Sequence, residues 1–403
     1  MISGTIAGSS SFTVYPLGEI TILRPSYYIS YTPSSASGTM WIRSTSTATP
    51  VSYQISSYSG MLKFGNSYPQ YLSFESCTWS NIKTNIPLFN QASAFAKCST
   101  LQKVDLYKCT SLLSSNTFYY CSSLSQVSLP ICEYIGYAAF DNCDSLSQVS
   151  LPMCSYIGSF AFEDCTLLSQ VSLPVCEYVG SYAFHMCYSL SQISLPVCSY
   201  IGKSAFDWCS SLSQVSLPIC GYIGAYAFES CRSLTKISLP MCSYIGGNAF
   251  LNCSSLSQVS LPICEYIGGY AFESCSSLTK ISLPMCSSIG FAAFRDCRSL
   301  SQVSIPVCSY IGDGAFHSCY SLSQVSLPVC SFIGSMVFRY CSSLSIITIG
   351  YSGVCSLGSE AFYNTQITSS TGSIYVPASL VSAYKSAPNW SQFSAIIQSY
   401  PGL

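Results

Sequence analysis

Cysteine and histidine are the residue types here whose spacing could carry chemistry. There are 25 cysteines and two histidines in 403 residues. From Cys121 to Cys341 a thiol recurs at every eleventh position, so the thiols fall into two columns. Three chemistries compete for such columns. Zinc needs clustered thiolates and imidazoles, usually with a C-x2-C knuckle; His185 and His317 are isolated and no knuckle is present. A disulfide ladder is geometrically conceivable, because strands about 4.8 Å apart approach the shortest Cα separations of a disulfide, about 4.4 Å. The odd total and the apolar slots that the thiols fill favour the third reading, buried free cysteine acting as a small hydrophobe. That reading fits folding in a reducing cytosol. No nucleophile–base pairing or glycine-rich phosphate loop stands out, so neither an enzyme nor a cofactor is expected.

The columns are produced by a repeat. From Cys121 the chain repeats every 22 residues, ten times without insertion or deletion, from CSSLSQVSLPICEYIGYAAFDN to CYSLSQVSLPVCSFIGSMVFRY. A period of this size marks a solenoid whose units bury their apolar sides against one another. With the first Cys as position 1, Leu at 4, Val or Ile at 7, Leu at 9 and Cys at 12 give LxxLxLxxC, the strand segment of a leucine-rich repeat. Pro at position 10 ends the strand, having no N–H to donate. Gly at position 16 answers either a positive φ or a close backbone approach. Ile or Val at 15 and Phe at 20 fill the opposite wall, so Phe140 to Phe338 predict a spine. The Tyr column at position 14 could pass for a stacking platform, but Phe332 dispenses with the hydroxyl, and a packed structural ladder is the better reading.

The predicted architecture is a mainly-β, right-handed leucine-rich-repeat solenoid with a parallel strand ladder, a small β-rich N-terminal module and a C-terminal cap. Residues 1–75 lack the period and read as short strands at Thr13–Tyr15, Ile20–Leu23, Tyr27–Tyr31, Met40–Arg43, Val51–Ile55 and Met61–Phe64, an attachment module. Residues 76–350 form the solenoid, with looser coils before the regular run 121–340. Residues 351–403 form the cap, where Leu380, Tyr384 and Trp390 have helix-like spacing. Charged residues are only 8% and the formal net charge is −1, which leaves no basic footprint for nucleic acid. Mean hydropathy is +0.38, yet Ser, Gly and Pro interrupt every apolar run, so membrane insertion is not expected.

The internal copies compare themselves. Residues 209–252 and 253–296 are near-duplicates that differ at eight places, and six of these lie at positions 2, 17, 18, 21 and 22, ten of the 44 sites. Those positions carry Tyr137, Phe160, Tyr182, Tyr188, Trp208, Tyr226, Tyr270, Phe291, Tyr320 and Tyr340, with Arg295 and Arg339 among the charges of position 21. Tyr and Trp among Ser, Gly and Asn is the composition of a paratope. These twelve are the candidate ligand-binding residues, on a line expected to face water; relaxed constraint in loops is the competing explanation.

The motif C-x-S-L…V-x-L-P…I-G-x-x-A-F resembles the BspA-type leucine-rich repeat family. The tail IYVPASLVSAYKSAPNWSQF is similar to the segment that follows such repeats in gut-type bacterial and phage-encoded members. The resemblance covers about residues 98–395. It implies a surface role in adhesion and recognition, without enzymatic activity, toward a cell-surface glycan or protein. Two departures stand out: many members carry one residue more per repeat, and no export signal or anchor is visible in this sequence. The expected setting is therefore surface-exposed or virion-associated, as a phage receptor-binding or fibre component that folds in a reducing cytosol and reaches the outside by lysis. A structural spacer or decoration of a larger particle is the alternative, with residues 1–75 joining the chain to that particle or to an oligomer.

Overall fold

A computed structural model describes residues 2–6, 10–16, 27–33, 38–43, 51–55, 60–64, 71–74, 77–87, 92–112, 114–369 and 371–400. The chain forms two compact units, residues 1–196 and 197–403.

The first unit opens with antiparallel strands. Ile2–Ile6, Ser10–Pro16, Gly60–Phe64, Tyr27–Pro33 and Trp79–Thr84 follow one another in one sheet. Gly38–Arg43 pairs with Val51–Ile55 and with Tyr71–Ser73 in a second. Five of the six strands expected from the sequence coincide with these; Ile20–Leu23 lies outside the described residues. Trp79–Thr84 is the point of change. It pairs antiparallel with Tyr27–Pro33 on one edge and parallel with Lys103–Asp105 on the other. From there the pairing is parallel, with Gln126–Ser128 laid on Lys103–Asp105.

Each coil of the right-handed solenoid contributes two short strands. The first carries Val or Ile at position 7 between two outward polar residues. The second places Ile or Val of position 15 inward and pairs in parallel with the same strand one coil on, as in Tyr134↔Tyr156 in the first unit and Tyr222↔Tyr244 in the second. The register never slips within these runs because each step superimposes like residues on like. The core is correspondingly columnar. Leu at positions 4 and 9, both Cys columns and Phe of position 20 are buried throughout the regular coils. The Phe rings stack nearly parallel, at 5.2 Å for Phe140–Phe162 and 5.3 Å for Phe228–Phe250. In the first unit the spine starts from Tyr31, Trp79 and Phe74, with Phe74 stacked 5.1 Å from Phe95.

The return side is a chain of turns. In the coil of Tyr226, Ala227 N–H donates to Gly224 O, Glu229 N–H to Tyr226 O and Cys231 N–H to Phe228 O. The remaining N–H groups point at the next coil: Tyr226 donates to Gly247 O, Phe228 to Ala249 O and Ser230 to Leu251 O. A buried backbone polar group left without a partner is destabilising, and here every second residue serves the neighbour.

Glycine at position 16 is fixed by close approach. A Cβ on Gly158 would sit 2.7 Å from the carbonyl carbon of Gly136, and one on Gly224 would sit 2.6 Å from that of Gly202. The alternative, a positive φ, does not apply there and falls instead at positions 18 and 22.

In the second unit, the spine ends at Phe362, which meets Phe393 edge-on at 5.5 Å and lies 6.0 Å from Trp390. The helix Val381–Ser386 is shorter than the spacing suggested, because Ala387 takes extended geometry before Pro388. Leu380 is only half-buried, whereas Tyr384 and Trp390 are fully buried. Trp390 Nε1 donates to Cys355 O at 2.7 Å, and the Tyr384 hydroxyl accepts from Cys355 N–H at 2.8 Å. Together they close the last coil.

Candidate recognition face

Positions 18 and 22 are where backbone and side chain disagree. Position 18 is the third residue of the turn that starts at the position 16 glycine, and position 22 is the third residue of the turn that starts at the position 20 phenylalanine. A type II turn demands φ above zero at that place and prefers Gly or Asn. Asn142, Asn248, Asn252 and Gly314 comply. Phe160 at +61°, Tyr182 at +58°, Trp208 at +61°, Tyr226 at +61°, Tyr270 at +59° and Tyr340 at +63° do not. Each bulky residue there costs roughly 1–2 kcal/mol of backbone strain.

None of the twelve sequence-predicted residues is buried. Tyr137, Tyr188, Trp208, Phe291, Arg295 and Tyr320 are exposed; Phe160, Tyr182, Tyr226, Tyr270, Arg339 and Tyr340 are half-buried. They gather in clusters rather than on one line. In the first unit Tyr137 tilts against Phe160 at 5.2 Å, and Phe160 stacks on Tyr182 at 4.9 Å. Tyr182 meets His185 edge-on, and His185 Nδ1 is 2.9 Å from Glu163 Oε1. In the second unit Tyr270 meets Phe291 at 5.0 Å. Further on, Arg339 lies 5.0 Å from the Tyr340 ring and 4.8 Å from that of Tyr363, and it donates to Glu360. His317, between Arg295 and Arg339, is held below the usual imidazole range, chiefly by burial.

Position 21 does not uniformly face water. Asp141 and Asp207 are buried, because the side chain can curl back into the turn, where Asn142 Nδ2 donates to Asp141 Oδ1. Cations that the sequence reading does not single out stand beside the aromatics: Lys203 near Tyr226, Arg232 near Trp208 and Arg298 near Tyr320. Their signal is available in the repeat, since position 2 changes from Ser to Arg in two copies. An exposed apolar column at position 11, including Ile219, Met241 and Met285, is likewise absent from that reading.

The Tyr ladder at position 14 is a packed one. Its rings stack at 4.5 Å for Tyr134–Tyr156 and 4.9 Å for Tyr200–Tyr222, nearly parallel. A stacked neighbour occupies the ring face that a base or sugar would need.

The thiols take two roles. At position 1 the Sγ donates to the Phe carbonyl one coil back, as Cys253 does to Phe228 O at 3.1 Å. At position 12 it donates to a carbonyl two residues on, as Cys242 does to Tyr244 O at 3.2 Å. Burial pushes Cys154 and Cys264 up to about 12, so these remain protonated donors. Among the described residues no group of three or more His, Cys, Asp or Glu is placed to hold a metal ion, and no helix is long and apolar enough to cross a membrane.

The expectation of a fully reduced set folded in a reducing cytosol is corrected at the irregular steps. Cys77 and Cys98 span a step shorter than the regular one, and their sulfurs lie 3.0 Å from each other. Cys330 and Cys355 span a longer step and their thiols lie side by side. In both pairs the two thiols are brought into mutual contact. Such pairs point to an oxidising, extracellular environment.

Fold and face define a non-catalytic leucine-rich-repeat scaffold. The model for the BspA type leucine rich repeat region matches residues 70–175, 133–257, 177–285 and 265–387, and the chain belongs to that family. No curated protein matches it. Among solved structures, a leucine-rich repeat protein from Bacteroides ovatus is similar at 22% identity and a TM-score of 0.58, covering 82% of this chain and 95% of that one. A leucine rich cell surface protein from Faecalibacterium prausnitzii is 23% identical over 75% of this chain and 83% of that one, with a TM-score of 0.37. An internalin from Listeria monocytogenes is 11% identical over 76% and 88%, with a TM-score of 0.33.

Proposed function

We propose that this protein is an extracellular recognition or adhesion scaffold that presents the turn face of its solenoid to a glycan or protein on a cell surface. The observation that carries the reading is the set of aromatics at positive φ. Gly or Asn would be less strained at every one of those turns, and other coils of the same chain use them. Strain kept at several equivalent places, while the core columns stay constant, supports selection for what the rings touch. Exposed Tyr and Trp supply contact area at low entropic cost. The near-duplicate block, diverging at these same positions, supports the same face.

The test separates binding from folding. Tyr182→Asn, Trp208→Asn, Tyr226→Asn and Tyr340→Asn should each leave stability unchanged or raise it by up to about 1 kcal/mol, because strain is relieved. Adhesion to cells, or signal on a glycan array, should fall in the variants that touch the ligand. Unchanged binding in all four would place recognition on another surface.

A further inference from the structure

Within residues 197–403 a shallow groove of about 400 Å³ runs across four consecutive coils, between positions 22 and 2. Its floor is small and polar: Asn252, Ser254, Ser274 and Ser276. An arginine closes each end, Arg232 and Arg298, with Asp296 beside the second. Each guanidinium has an aromatic neighbour further out. Arg232 lies 5.4 Å from the Trp208 ring centre and Arg298 lies 6.0 Å from that of Tyr320. The order along the solenoid is thus aromatic, cation, a run of hydroxyl and amide groups, a carboxylate with the second cation, aromatic.

The Phe spine beneath advances 5.1 to 5.3 Å per coil, and the two arginine-bearing coils stand three such steps apart. This shape excludes several ligands. Compact apolar molecules bind in concave sites with mostly hydrophobic walls, and this groove has none. A peptide adding as a strand needs open backbone groups. Here the N–H of Ser254 is engaged by Asn252 O at 2.8 Å and that of Arg298 by Asp296 O at 2.9 Å. What fits is an extended polymer with polar groups at every step, a step close to the rise of one coil, and faces that can stack on Trp and Tyr. A chain of pyranose rings meets all three conditions. The arginines add a charge requirement, because a guanidinium pairs bidentately with carboxylate or sulfate. Asp296 does not cancel it, being shared between Arg298 at 3.4 Å and Arg295 at 3.6 Å.

We propose that this groove binds an extended oligosaccharide bearing anionic substituents, with Arg232 and Arg298 holding two of those groups and Trp208 and Tyr320 stacking on the terminal rings. The inference rests on the recognition-face reading and narrows its ligand. It is tested by titration calorimetry on the full chain with three probes: oligogalacturonate for carboxylate, chondroitin sulfate oligosaccharides for sulfate, and cello-oligosaccharide as the neutral control. At least one anionic series should bind more tightly than the neutral one and weaken as salt is raised. Arg232→Ser and Arg298→Ser, which restore the residue that other coils carry, should each weaken binding by about tenfold, as for loss of a charge-assisted contact. Equal binding of neutral and anionic probes, no binding of any, or affinities untouched by both substitutions would overturn the proposal. If these fail while Tyr182→Asn or Tyr340→Asn still abolishes adhesion, the groove is wrong and the recognition face stands. If no variant in either set changes binding, both fall.

Discussion

Asp141 shows how one residue can carry charge against its surroundings. It is buried at the start of the regular coils, close to Glu163 and Asp164, and burial lifts its carboxyl to about 6 from an ordinary 3.8. The folded state therefore binds the proton more tightly than the unfolded chain. The linkage sign follows: between about 3.8 and about 6 the native form holds more protons, so stability falls as pH rises through that window. Thermal melts of the full chain should show a declining midpoint from pH 4 to pH 7, and Asp141→Asn should flatten that part of the curve. A wild-type midpoint that rises with pH across the window, or a slope that survives the substitution, would show another group to be responsible. The sequence placed Asp141 on a line facing water. What it could not show was the turn geometry that folds a position 21 side chain inward in some coils.

At the scale of the element, the Phe spine and the turn ladder depend on each other. Phe228 stacks on Phe206 at 5.2 Å and on Phe250 at 5.3 Å, and its N–H and carbonyl both bond neighbouring segments. Phe228→Ala should cost about 3–5 kcal/mol, the usual range for a buried Phe truncation. In a one-dimensional stack that loss falls on one coil and its two interfaces, so urea unfolding should broaden or split into two steps. A single sharp transition shifted by less than about 1 kcal/mol would mean that the spine is not the main coupling between coils. The spine was legible because Phe, Ala and Leu recur at fixed places. The switch at Trp79–Thr84 from antiparallel to parallel partners was not, since each edge of that strand is set by residues distant in sequence. The positive φ at positions 18 and 22 was also hidden, because Tyr and Trp stand where Asn or Gly would have announced the turn.

At the scale of the whole molecule, the thiols fall into carbonyl donors and mutual pairs. Cysteines of the regular coils are fully buried and donate to carbonyls. Cys77 with Cys98 and Cys330 with Cys355 are two pairs brought into mutual contact at irregular steps. Peptide mapping without reductant, on protein secreted through an oxidising compartment, should find these two pairs linked and the remaining cysteines alkylated only after denaturation. Recovery of both pairs as free thiols would return the chain to the reduced state that composition alone suggested.

The sequence by itself determined the period, the strand segment of each coil, the buried columns and the positions at which coils differ. These follow from local chemistry repeated at constant spacing, where every copy points to the same answer. Only the tertiary structure decided which variable residues touch. Trp208 and Arg232 belong to different coils, as do Arg339 and Glu360, and they meet because one full coil brings a side chain beside residues near its own equivalent. It decided too that glycine at position 16 answers crowding rather than dihedral freedom, because the atoms that crowd it belong to another coil.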